Sequence, residues 1–114
     1  MAASVFGEVL KQLIKKEGLS QQDFHTKVGI GKPYFYDIVS GKVAPPPPEV
    51  QHRMISILTK STLDEKNRFF DIAAKERNEI PADIAKLING NPNDIGAIRK
   101  ILNALLVSRT IKLN

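Results

Sequence analysis

The 114-residue chain has no cysteine and no tryptophan, and its aromatic side chains are five phenylalanines and two tyrosines. Without cysteine, a disulfide framework, thiolate metal sites and cysteine nucleophiles are excluded, and a reducing compartment fits that usage. No stretch approaches the roughly 20 consecutive apolar residues needed to span a bilayer. The opening "MAASVFGEVLKQ" lacks the long apolar run of a signal peptide. These features predict a soluble, cytoplasmic protein with no membrane partner. Histidine is scarce too. His25 and His52 have neither cysteine nor a matching carboxylate cluster for company, so no metal site is expected. Neither stands beside a nucleophile at a recognisable spacing, and Gly29 and Gly31 lack the third glycine and the strand-to-helix context of a phosphate-cradling loop. The sequence therefore predicts no enzyme, no catalytic residue and no cofactor.

What is present is enough chain for one hydrophobic core with an extension, and too little for two ordinary domains. The formal charge is +5 and the isoelectric point near 9.6, with the excess spread over both halves of the chain. Such a balance favours polyanionic partners without naming one.

Hydrophobic periodicity predicts an all-α protein. Phe6, Val9, Leu10, Leu13 and Ile14 form one face of a first helix that ends at Gly18. "SQQD" offers Ser20 as N-cap and Asp23 three residues on, opening a short second helix that buries Phe24 and Val28 and stops at Gly29. A third helix starts at Gly31 or Lys32, tolerates Pro33 in its first turn and ends before Gly41. On it Phe35, Ile38 and Val39 share a face, while Lys32, Pro33, Tyr36 and Asp37 point elsewhere. "APPPP" reads as a stiff extended spacer, with a ligand for an aromatic groove as the alternative. Val50, Met54, Ile57 and Leu58 mark a fourth helix. Thr62 and Glu65 suggest a capping box for a fifth, which carries Phe69, Phe70, Ala73 and Ala74. "LDEKNRFFDIAAKERNE" mixes its charges as a solvated helix face does. A sixth helix runs from near Pro81 to Gly90, and a seventh begins with Asn91 as N-cap and Pro92 at its first position. In the seventh, Ile95, Ile98, Leu102 and Leu105 repeat at alternating steps of three and four, the spacing of a helix-packing seam. The closing "SRTIKLN" is compatible with a strand or a frayed end.

Two short helices joined by a tight turn, the second presenting polar side chains near its N-terminus, is the helix-turn-helix arrangement. Over residues 5–60 the chain resembles the lambda-repressor-like, xenobiotic-response-element family of bacterial and phage transcriptional regulators. Ser20-Gln21, Phe24-His25, Gly29-Ile30-Gly31, Tyr34-Phe35 and Ile38-Val39-Ser40-Gly41 stand, without insertion or deletion, where that family has Thr-Gln, Leu-Ala, Gly-Ile-Ser, an aromatic-leucine pair and Ile-Glu-Asn-Gly. The basic, proline-containing "KVAPPPPEVQHRMISILT" matches the family's loop into its fourth helix. Two positions depart from the pattern. His25 replaces a small alanine, where an imidazole is expected to push the helices apart or turn partly to solvent, and Val39-Ser40 replaces Glu-Asn.

The resemblance implies a five-helix lambda-repressor-like helix-turn-helix DNA-binding domain over residues 1–77 with a C-terminal helical extension over 78–114. It also implies roles for individual residues. Lys32, Pro33, Tyr36 and Asp37 face base edges; Gln21, Tyr34, Ser40 and Lys42 meet phosphates. At those places Lys32 can donate to guanine, Asp37 can accept from cytosine N4 and Tyr36 can pack on a thymine methyl. The expected function is that of a transcriptional regulator, a repressor by preference, holding a short palindromic operator in double-stranded DNA as a homodimer. Ile95, Ile98, Leu102 and Leu105 form its expected dimer interface, although the same residues are compatible with folding back on their own chain. The alternative is a protein-interaction module with the same fold, such as an antitoxin or a phage-encoded inhibitor.

Overall fold

A computed structural model describes residues 4–113, with side chains in the last helix described up to Ser108. Among these residues there are seven α-helices, one 3-10 turn and no strand. The helices are α1 (Val5–Glu17), α2 (Gln21–Val28), α3 (Lys32–Ser40), α4 (Pro48–Ile57), α5 (Leu63–Arg77), α6 (Ala82–Asn89) and α7 (Ile95–Leu113). They fall into two compact units, the first ending at Asp83 and the second beginning at Ile84.

Local chemistry explains where the helices of the first unit start and stop. Ser4 and Ser20 each turn a hydroxyl oxygen to a free first-turn amide, Gly7 N at 2.9 Å and Asp23 N at 3.0 Å. At Thr62 the capping box is complete, because Glu65 also accepts from the Thr62 amide at 2.8 Å. Gly18, Gly29 and Gly41 close α1, α2 and α3 at φ 80°, 85° and 82°, the left-handed region that a Cβ disfavours.

The apolar faces of these helices meet in one core. Phe6, Phe24, Phe35 and Phe69 are wholly buried, with Leu10, Ile38, Met54 and Leu58 around them. Burying each phenylalanine stabilises the fold by about 1.5–3 kcal/mol before ordering costs are counted. α1 lies against α2, α3 and α5, and α2 bridges α3 and α4. Where α1 passes α3, Gly7 is required for closeness: a Cβ there would overlap the Val39 carbonyl.

The proline run serves this core. Pro45 and Pro46 are buried, and their carbonyls accept from Arg77 Nη1 at 3.0 Å and Gln51 Nε2 at 2.8 Å. α4 starts at Pro48 with Pro47 as its N-cap. The spacer is thus a packed segment, with two of its rings enclosed.

The loop between α4 and α5 is held to the end of α1 by carboxylates. Glu17 accepts from the Lys60 amide at 2.8 Å and the Thr59 hydroxyl at 2.7 Å, which hold its carboxyl below the ordinary value, the amide first. Glu65 is lowered likewise, first by the Lys16 ammonium at 2.6 Å and then by the Thr62 amide.

Asn78, at φ 56°, ends α5. Ala82 is enclosed in the core and its carbonyl accepts from His52 Nε2 at 3.2 Å. The first unit therefore runs on to Asp83.

In the second unit, Asn91 does not cap α7 as the sequence suggests. Its side-chain amide donates to the Leu87 carbonyl at 2.7 Å, satisfying the end of α6. Pro92–Asp94 form a 3-10 turn, and α7 proper begins at Ile95. Helix continues to Leu113, so the closing segment is neither strand nor frayed over the described residues, and Asn114 lies outside them. Ile95 and Ile98 are half-buried, while Leu102 and Leu105 are exposed.

Candidate functional site

The three residues between α2 and α3 reverse the chain by backbone geometry. Gly29 N donates to the His25 and Thr26 carbonyls and Ile30 N donates to that of His25, which closes the end of α2. Gly31 is extended at φ −75° and ψ 157° and starts α3, its carbonyl accepting from Phe35 N at 3.0 Å. Pro33 fits the first turn, where amides have no intrahelical acceptor.

Phe35 fixes the rotation of α3. Its ring lies 6.1 Å from that of Phe24 and 5.4 Å from that of His25, and Ile38 and Val39 are buried on the same side. Helical geometry then turns Lys32, Pro33 and Tyr36 outward, all exposed, with Asp37 half-buried beside them. The Lys32 ammonium stands 5.9 Å from the centroid of the Tyr36 ring, and that ring approaches Phe35 edge-on at 5.5 Å. The Asp37 carboxylate has no hydrogen-bond partner among the described residues.

The residues expected to meet phosphates stand at the margins of this face. Gln21, half-buried at the first position of α2, borders a shallow depression shared with Lys11 and Lys15. Tyr34 is 36% exposed. Lys42 is exposed beyond Gly41, its amide held by the Asp37 carbonyl at 3.0 Å. The Ser40 hydroxyl donates to the same carbonyl at 3.2 Å, so it reaches a phosphate only by giving up that bond. The seam residues Ile95, Ile98, Leu102 and Leu105 belong to the other unit.

Three features escape sequence reasoning. His25 neither separates the helices nor turns to solvent: it is 8% exposed, α2 and α3 remain in contact, and the ring packs on Phe35. Its Nδ1 is buried without a hydrogen-bond partner. Gln22, unassigned from the sequence, lines a cleft with His25, Lys32 and Tyr36. Arg53 of α4 donates through Nε to the Val28 carbonyl at 3.0 Å, placing a cation at the negative end of α2. That contact joins residues 25 positions apart, and no local spacing announces it.

No group of three or more histidine, cysteine or acidic side chains among the described residues could hold a metal ion, and no described helix is long and apolar enough to cross a membrane. The chain matches no protein-family model, no curated protein and no solved structure at a significant level.

Proposed function

We propose that the protein is a sequence-specific DNA-binding transcriptional regulator whose first unit is a lambda-repressor-like helix-turn-helix domain with α3 as its recognition helix. The observation that carries this reading is the α2–turn–α3 pair: two helices of eight and nine residues, each closed by a left-handed glycine, the second rotated by Phe35 so that Lys32, Pro33, Tyr36 and Asp37 face outward. A polar, partly aromatic face of this width suits the major groove, where base pairs present distinct donor and acceptor patterns. The net charge of +5 supports attraction to phosphate.

On this reading Gln21, Tyr34 and Lys42 meet the backbone, and Ser40 joins them once its hydroxyl turns away from the Asp37 carbonyl. The exposed Leu102 and Leu105, with Ile95 and Ile98, pair with the same residues of a second copy, so that two recognition helices read a palindromic operator about one helical turn apart between half-site centres. Occupying such an operator represses transcription where it overlaps a promoter.

Capture from a randomised duplex library at two salt concentrations tests the proposal. An enriched palindrome whose recovery falls with salt supports it. No enrichment at low salt overturns it and favours a module that binds protein partners.

A further inference from the structure

The seam of α7 is lopsided in charge. Ile95, Ile98, Leu102 and Leu105 follow steps of three, four and three, and the next two steps, of four and three, fall on Arg109 and Lys112. Helix continues from Ile95 to Leu113, so the same spacing holds over both cations. Between residues 95 and 114 the cations are Arg99, Lys100, Arg109 and Lys112, and there is no Asp or Glu. The last carboxylate before this stretch is Asp94, exposed in the 3-10 turn from which α7 starts. The helix therefore has its acid at one end and, on the line of its seam, two cations at the other.

Leu102 and Leu105 are more than half exposed, as is Ile101 beside them. A partner helix that covers them must be apolar in its middle and must suit an acid at one end and cations at the other. In a parallel pair of copies each seam position faces itself. Arg109 would then stand against Arg109 and Lys112 against Lys112, and the one favourable pairing would set Asp94 near Arg99 of the second copy. In an antiparallel pair centred between Ile98 and Leu102, Ile95 layers on Leu105 and Ile98 on Leu102, so the apolar positions match in number and order. Both cations pass beyond the second copy's seam. The helix position of Arg109 falls about 4.5 Å along the axis from Asp94 of the second copy, within reach of an arginine side chain. The arrangement is two-fold, so the pair forms twice, and opposed helix dipoles favour it further.

We propose that α7 pairs antiparallel with α7 of a second copy of this chain, the two helices meeting at their midpoints near residue 100, and that Asp94 and Arg109 select this orientation over the parallel one. The orientation rests on the homodimer of the regulator reading, and it requires no DNA.

The sequence contains no cysteine, so Ser108→Cys, at an exposed position off the seam, gives a single attachment point for a spin label. In the full-length dimer, two labels at residue 108 should lie roughly 24 Å apart along the axis in the antiparallel pair, against about 8–10 Å, the spacing of helix axes, in a parallel one. A second measurement reads the charges. Asp94→Lys should raise the dimer dissociation constant about tenfold at low salt and less at high salt, and the exchanged pair Asp94→Lys with Arg109→Glu should recover most of the loss. Labels side by side, or no recovery in the exchanged pair, overturn the antiparallel orientation and leave the homodimer standing. A parent protein that sediments as a monomer overturns both the orientation and the dimeric operator complex. Labels at the longer distance in a protein that captures no duplex support the pairing while overturning the regulator reading.

Discussion

Asp37 and Lys42 stand five residues apart and carry opposite kinds of DNA contact in the proposed complex. Asp37, half-buried and with its carboxylate unpartnered among the described residues, is placed to accept from one base edge. Lys42, exposed past the end of α3, offers charge without direction. Asp37→Ala should therefore relax preference at one operator position by about 1–3 kcal/mol, and Lys42→Ala should weaken binding to all sequences alike and flatten the salt dependence. Affinities for an operator and its single-base variants at several salt concentrations check both, and an equal loss of discrimination from the two substitutions would count against these roles. The burial of Phe35 and the exposure of Tyr36 were legible from their positions on a helix of period 3.6. His25 was not: its fate depends on whether the Phe35 ring, ten positions away, leaves room for it, and spacing carries no information on volume.

The position of α3 as an element depends on what lies behind it. Because α1 approaches closely at Gly7, Gly7→Ala would force the helix against the Val39 backbone, and a destabilisation of at least about 1–3 kcal/mol is expected, read as a lower denaturation midpoint at unchanged slope. α5 depends on its cap, and Thr62→Ala should cost about 1 kcal/mol by the same measurement. The α4–α5 loop adds a pH dependence. Glu17 and Glu65 are lowered from an ordinary value of 4.5, so their stabilisation is complete above that value, where both are ionised folded and unfolded. As the pH falls below 4.5, the unfolded chain takes up protons first and stability declines, until nothing of this contribution remains below the native values. Denaturation midpoints between pH 7 and pH 3 should accordingly fall less steeply in Glu17→Gln and Glu65→Gln than in the parent. The caps and left-handed glycines could be anticipated because they are local chemistry. The Glu17 and Arg53 contacts could not, since each joins residues far apart in the chain.

At the scale of the whole molecule, the proposed dimer turns on the apolar residues of α7. Leu102 and Leu105 are each 53% exposed, and Ile101 is 62% exposed. If a second copy covers this seam, Leu102→Asp should shift the protein to monomer in sedimentation and weaken operator binding, because a charge on a buried seam has no partner. A variant that stays dimeric would place the dimer contact elsewhere.

By itself the sequence determined the helical class, the order of the seven helices, most of their ends and the faces that α1, α2, α3 and α5 bury, because periodicity, capping and glycine conformation act within a few residues. Only the tertiary structure decided that Pro45 and Pro46 pack into the first unit, that this unit extends to Asp83, that His25 is enclosed against Phe35 and that Asn91 serves α6 and not α7. Each of these turns on which groups come within contact or hydrogen-bond distance once the helices pack, and on whether a given side chain fits the space left between them.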